Sequence, residues 1–133
     1  MCPCGSNKKY KKCCKIFHNG TLPKTALELM KSRYSAYAVG DSKYIMNTTH
    51  ILNTDYSEDK KTWEENIQNF MKDSNFNSLE ILEFLDSLPE AYVTFKANID
   101  INGVDSTFTE KSKFIRENEK WLYVSGDFNQ EDI

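Results

Sequence analysis

The spacing of hydrophobic positions changes once along this chain, from a helical period to an extended one. Thr25-Ala26-Leu27-Glu28 reads as a capping box, with Thr25 at the N-cap and Glu28 three residues on. Leu27, Met30, Tyr34 and Tyr37 then recur at helical spacing until Gly40 supplies a stop. Asp41 can cap a second, shorter helix reaching about Thr48, with Tyr44 and Ile45 as its apolar contacts. Ser57 is placed to start a third, in which Trp63, Ile67, Phe70 and Met71 share one face. From Phe76 the period becomes two, and Leu79 and Ile81 predict a first strand ending at Ser87-Leu88-Pro89.

The next segment alternates without a break. Ala91, Val93, Phe95, Ala97, Ile99 and Ile101 interleave with Tyr92, Thr94, Lys96, Asn98 and Asp100, and Asn102-Gly103 is a strong hairpin signal. A loop at these two residues sets Ile101 opposite Val104, Ala97 opposite Phe108, Phe95 opposite Glu110 and Val93 opposite Ser112. A second turn near Asn118-Glu119 sets Phe114 opposite Tyr123 and Arg116 opposite Trp121. Both registers put the aromatic residues on one face. The pattern therefore predicts an α+β fold, three helices followed by a four-stranded antiparallel meander.

Length and composition add limits. A chain of 133 residues suits one average domain, and 39% hydrophobic residues with 17 aromatics can fill its core. With 3 Pro and 5 Gly it is neither collagen-like nor low-complexity. No apolar run approaches the ~18 residues of a membrane span. The opening Met-Cys-Pro-Cys-Gly-Ser-Asn-Lys-Lys has no apolar leader core, so a reducing, cytoplasmic location is expected. The net charge of -3 hides an asymmetry, because residues 1–36 hold eight of the 17 Lys and Arg against Glu28 alone. A basic head on an acidic body suggests two modules with different surfaces. Lys8, Lys9, Lys11, Lys12 and Lys15 are the grouped part of that charge, which is few for a nucleic-acid footprint.

All four cysteines fall in the head, as Cys2-Pro3-Cys4, eight intervening residues, then Cys13-Cys14. Disulfides belong to oxidising compartments, whereas four thiolates can close a tetrahedral shell around one structural zinc ion. Redox dithiols, a disulfide or an iron–sulfur cluster are the alternatives, and His18 is a substitute ligand that four thiols leave free. The lysines would screen the formal -2 charge of a zinc–tetrathiolate centre, or contact a partner.

The run from Cys2 to Cys14, Cys-Pro-Cys-Gly-Ser-Asn-Lys-Lys-Tyr-Lys-Lys-Cys-Cys, resembles the SEC-C motif, with Asn7 where Gly is usual. Asn tolerates positive φ better than most residues, so the turn can survive. The body resembles the YchJ-like family, through Leu29-Met-Lys-Ser-Arg-Tyr-Ser-Ala-Tyr37, Gly40-Asp41, Tyr44 and Thr48. The same likeness continues in Glu110, Ser112, Phe114, Arg116, Trp121 and Tyr123, while Phe76 stands where a Trp is common. This resemblance implies a zinc knuckle over residues 1–20 and an NTF2-like cone over residues 21–133, a curved sheet closed by helices. It also implies that the knuckle docks a protein or ribosome-associated partner.

Candidates for chemistry are few. Cones of this kind often enclose a pocket, and Arg33, Tyr34, Tyr37, Phe95, Phe108, Glu110, Ser112, Trp121 and Tyr123 are the residues expected around one. The hairpin register turns Glu110 toward the aromatic face, as a base or as a satisfied structural carboxylate bonded to Arg33, Ser112 or a tyrosine. The structural role is preferred. His50 lies in a polar Thr-Thr-His turn with no neighbouring Cys, Asp or Glu, and no nucleophile elbow, phosphate loop or HExxH helix is present. Two functions follow. One is a non-catalytic zinc-binding adaptor whose body dimerises or holds a small ligand; the other is a pocket enzyme of isomerase or dehydratase type using Glu110. The adaptor is preferred because no second acid–base group can be named beside Glu110.

Overall fold

The computed structural model describes residues 1–128, and the last five residues of the expected 21–133 body lie outside the described residues. After a 3₁₀ turn at Tyr10–Lys12 come helices α1 (Cys14–His18), α2 (Ala26–Val39), α3 (Ser42–Asn47) and α4 (Lys60–Asp73). Strands β1 (Ser74–Leu85), β2 (Glu90–Ile101), β3 (Val104–Asp105), β4 (Phe108–Glu117) and β5 (Lys120–Asp127) follow. All neighbouring strands are antiparallel in the order β1-β2-β4-β5, with β3 paired to β2.

The helix caps show why the boundaries fall where they do. Thr25 accepts a hydrogen bond from the Glu28 N–H at 3.1 Å, and the Glu28 carboxylate accepts from the Lys24 N–H at 2.9 Å. Asp41 caps α3 by accepting from the Tyr44 N–H. Helix α4 begins at Lys60 rather than at Ser57, because Asp59 is the cap and accepts from the Thr62 N–H. All three of these helices thus start at acidic or hydroxyl side chains, as orphan backbone donors require.

Both hairpin registers are those the pattern predicts. Ile101 faces Val104, Ala97 faces Phe108, Phe95 faces Glu110 and Val93 faces Ser112. Across the second turn Phe114 faces Tyr123 and Arg116 faces Trp121. Asn102 and Gly103 have φ of 50° and 81°, the positive values that a primed two-residue turn needs. The returning arm is split by Ser106-Thr107, so the meander has five strand segments instead of four.

The period of two fails in β1. Register shifts between Phe76 and Ser78 and between Ile81 and Glu83 space Phe76, Leu79, Ile81 and Phe84 by three, two and three residues. Another shift follows Lys113 in the β4–β5 pair. Each extra residue bends its strand, and together they curve the sheet around its inner face. Ala91, Val93, Phe95, Ala97 and Ile99 of β2 form the floor of the core. Helices α2 and α4 cover it with Leu29, Met30, Tyr34, Trp63 and Ile67.

Helix α2 has no single apolar face, since Ala26, Leu29, Met30, Ser32, Arg33, Tyr34, Ser35 and Ala36 are all buried. It lies between the sheet on one side and the cysteine-bearing head on the other. Helix α1 extends the head beyond the three helices read from the sequence, and its Cys14 packs on α2.

Candidate functional site

The head is built around sulfur. The four Sγ atoms of Cys2, Cys4, Cys13 and Cys14 lie within 4.8 Å of one another. Cys4 Sγ is 3.7 Å from Cys13 Sγ, close to the ~3.8 Å edge of a tetrahedron with ~2.3 Å metal–sulfur bonds. Cys2, Cys4 and Cys14 are buried, and Cys13 is partly exposed. Gly5 and Asn7 adopt φ of 85° and 65°, which reverses the chain after the first pair. Ser6 accepts from the Lys8 N–H and donates its hydroxyl to Cys13 Sγ at 3.1 Å.

Cys4, Cys13 and Cys14 are each shifted from the ordinary thiol range. Cys4 is lowered to about 4, chiefly because the Cys14 thiol hydrogen-bonds to its sulfur. That bond and then burial push Cys14 up, and burial first of all pushes Cys13 up. One negative charge is favoured here and further charges are opposed, unless a cation at the centre offsets them. Four convergent sulfur donors fit a four-coordinate metal ion.

His18 is neither a ligand nor free. Its side chain is 3% exposed. Nε2–H donates to the Ser32 carbonyl at 2.8 Å, and Nδ1 therefore accepts from the Tyr10 hydroxyl at 2.6 Å. Cys2 Sγ lies 3.4 Å from the Ser35 hydroxyl, and Cys14 Sγ lies 3.7 Å from the Lys31 carbonyl. The head is thus bonded to one face of α2 at three successive points. Lys8, Lys9, Lys11, Lys12 and Lys15 stand exposed around it, with Ile16 beside them.

The opposite face of α2 lines a half-enclosed cavity of about 250 Å³. Arg33, Tyr34 and Tyr37 reach it from α2, and Phe95, Phe108, Glu110, Ser112 and Tyr123 reach it from the sheet. Trp121 does not: its indole N–H is drawn to the Lys24 carbonyl at 3.2 Å, so the ring ties β5 to the segment before α2. Thr49, Asn53 and Asp55 complete the polar rim, and Trp63, Ile67 and Phe70 form the wall from α4. The sequence reading missed these six. Their one signal was the apolar stripe of α4, while the loop after α3 carried none.

Within the cavity Glu110 is 5% exposed. The Ser112 and Tyr123 hydroxyls both donate to Oε2, the second at 2.9 Å. Burial is the main cause that raises its carboxyl above the usual range, with the two hydroxyls and Arg33 opposing. Burial also pushes Tyr34 up to about 12 and, with Glu110 adding to it, raises Tyr123. Arg33 Nη1 donates to the Ile45 carbonyl, Thr48 Oγ1 and Thr49 Oγ1 at 3.1, 2.8 and 3.2 Å, and its guanidinium stacks 4.6 Å from the Tyr123 ring centre. The Tyr34 hydroxyl donates to the Ser78 carbonyl and the Tyr44 hydroxyl to Ser32 Oγ, so both are satisfied structural groups.

His50 is buried and structural. The Leu52 N–H donates to its Nδ1, so Nε2–H donates to Glu117 at 3.0 Å. Its neighbour Thr49 pairs with Tyr123, which closes the loop onto β5.

Comparison with known proteins agrees with both halves of this description. Residues 25–126 match the family described as YchJ, middle NTF2-like domain, and residues 1–15 match the SEC-C motif. A UPF0225 protein of Vibrio parahaemolyticus is 34% identical over 98% of this chain and 77% of its own length. A UPF0225 protein of Streptomyces coelicolor is 33% identical over 96% of this chain and 94% of its own. The solution structure of a SEC-C motif containing protein from Rhodopseudomonas palustris superposes with a TM-score of 0.79 at 26% identity, covering 97% of this chain and 98% of that one. No helix among the described residues is long and apolar enough to cross a membrane.

Proposed function

Because this chain belongs to the YchJ-like family of NTF2-like domains and carries a SEC-C motif at its head, we propose that it is a zinc-binding, non-catalytic adaptor. Residues 1–20 are its partner-recognition knuckle, and residues 21–133 are a body that holds a small ligand. The partner is a protein, free or ribosome-associated. Zinc is the ion that an all-sulfur, four-donor, closed site suits best, in a structural role with no open position.

The observation that carries this reading is the double use of helix α2. Lys31, Ser32 and Ser35 meet the knuckle, while Arg33, Tyr34 and Tyr37 line the cavity. Occupancy of the cavity and the setting of the knuckle are thereby joined through one rigid element. The five exposed lysines give the knuckle a basic face for an acidic partner surface.

In-cell crosslinking tests the idea. Reversing Lys8, Lys11, Lys12 and Lys15 to Glu should abolish a discrete protein or ribosomal crosslink while zinc content stays unchanged. Identical crosslinks from the reversed and native proteins would count against the adaptor.

A second reading has its own observation. Glu110 lines the cavity with a raised carboxyl and with the Tyr123 and Ser112 hydroxyls beside it, as a proton-transferring isomerase or dehydratase requires. The adaptor ranks above it because the two hydroxyls already engage Oε2 as a structural cluster. Glu110→Gln discriminates: the adaptor keeps its crosslink, and an enzyme loses its turnover.

A further inference from the structure

Arg33 is 8% exposed, yet no carboxylate forms an ion pair with it among the described residues. Its three acceptors are uncharged oxygens, and all of them bond to Nη1. The N–H donors on Nε and Nη2 meet no acceptor among the described residues. Among the described residues no fully buried polar side-chain atom lacks a partner, so these donors are not sealed in, and the open space that Arg33 lines is the cavity. A guanidinium taken out of water is costly to hold without an opposing charge. Its free Nε–Nη2 edge is the fork that matches a carboxylate in two parallel hydrogen bonds.

Much of the remaining wall is aromatic. Trp63, Phe70, Phe76, Phe95 and Phe108 form its walls, the last two edge to face at 5.9 Å. Its volume of about 250 Å³ exceeds the ~150 Å³ of an apolar cavity that accepts benzene. There is room for one ring with a short polar substituent.

We propose that the cavity is a binding site for a small aromatic monocarboxylate, its carboxylate on the open edge of Arg33 and its ring among the aromatic walls. This deepens the small-ligand role given to the body above and rests on it. Glu110 then becomes the residue that gates affinity. Its Oε2 is taken by Ser112 and Tyr123, and Oε1 accepts no hydrogen bond among the described residues. An ionised Glu110 repels an incoming carboxylate; a protonated one can donate to it. Among the described residues, the other titratable or charged groups around this space are Arg33, Tyr34 and Tyr37 from α2, Asp55 from the loop before α4, and Tyr123 from β5. Helix α4 and strand β2 contribute only uncharged side chains to it. Burial raises the Glu110 carboxyl above its usual range, which moves its change of charge toward neutral pH.

Calorimetric titration of the zinc-loaded full chain with benzoate and with benzamide, its neutral counterpart, tests this. Benzoate should saturate the native protein and bind more tightly as pH falls from 8 to 5.5, whereas benzamide should show no such trend. Glu110→Gln should bind benzoate at pH 8 about tenfold more tightly than the native chain, the equivalent of one pKa unit of charge interaction, and lose the pH trend. Arg33→Gln should lose benzoate by a comparable factor and leave benzamide unaffected. If Arg33→Gln fails to melt cooperatively, the pH series and Glu110→Gln decide alone. Equal affinity for benzoate and benzamide at every pH would overturn the carboxylate class and leave the cavity a ligand site. Binding of neither compound by either folded protein would overturn both.

Discussion

Gly126 lies directly against Glu110: a Cβ at this position would stand 2.4 Å from Oε2, 2.5 Å from the carboxyl carbon and 2.7 Å from the Tyr123 hydroxyl. Strand β5 therefore closes over the buried carboxylate only because residue 126 has no side chain. Its backbone needs no glycine, since the constraint is close approach and not dihedral angle. Gly126→Ala should drive Glu110 from its place and cost about 1–3 kcal/mol, the usual range for overpacking. A lower denaturant midpoint with an unchanged slope would be the signature, and native stability would show that the cluster can shift freely.

Glu110 also makes stability depend on pH. Its folded-state pKa lies above the unfolded value, so the folded chain holds its proton more tightly. Stability from this group is complete below the unfolded pKa, falls as pH rises toward the raised folded pKa, and is level above it. Glu110→Gln cannot ionise, so the native chain should lose stability relative to it across that window. Melting both proteins from pH 4 to pH 8 checks the sign. An unchanged difference would mean that the carboxyl is not held in a desolvated site.

Glu110→Ala asks a different question. It leaves the Ser112 and Tyr123 hydroxyls without their acceptor and should cost about 1–3 kcal/mol at every pH. Ser112→Ala with Glu110→Ala should recover part of that loss, because the two share one hydrogen bond.

Protein purified without chelator should hold about one zinc per chain, as a four-thiolate site implies. Chelation should erase ordered structure over residues 1–18. The body should remain folded but melt at a lower temperature, because α2 loses the contacts at Lys31, Ser32 and Ser35. Amide exchange before and after chelation distinguishes this outcome from collapse of the whole chain, and from an α2 indifferent to the metal.

His18→Ala should weaken the same contact with the cysteines intact. The change leaves the Tyr10 hydroxyl and the Ser32 carbonyl without their partner and should cost about 1–3 kcal/mol. Zinc should then be extracted faster by chelator, measured as a release rate. An unchanged rate would show that the knuckle holds its ion without help from α2.

What could be read from residues alone is what local chemistry dictates. The C-x-C spacing with a second pair eight residues on defines a four-sulfur site, because thiolate geometry is carried by short, adjacent segments. Thr25, Asp41 and the Asn102-Gly103 turn place their elements through hydrogen bonds spanning three residues or fewer, or through a two-residue φ preference. Once the turn is set, alternation carries the register outward, and Phe95 meets Glu110 fifteen residues away.

Other features answer to groups far away in sequence. The bulges in β1 respond to the curvature of the sheet against α2 and α4, so a strict period of two misplaces its inner residues. His18 offered no sequence sign of bonding to Ser32, because a carbonyl acceptor is the same in every residue. Trp121 looks like a pocket residue by register, and only the Lys24 carbonyl, 97 positions away, explains why its ring turns elsewhere. Gly126 is an unremarkable glycine until the Glu110 side chain is packed on it. The sequence alone determined the four-cysteine head, the order of the main elements and the hairpin registers, since each rests on neighbouring residues. The cavity, the open edge of Arg33 and the double use of α2 were decided only in three dimensions, where packing chooses among side-chain directions that local sequence leaves equal in energy.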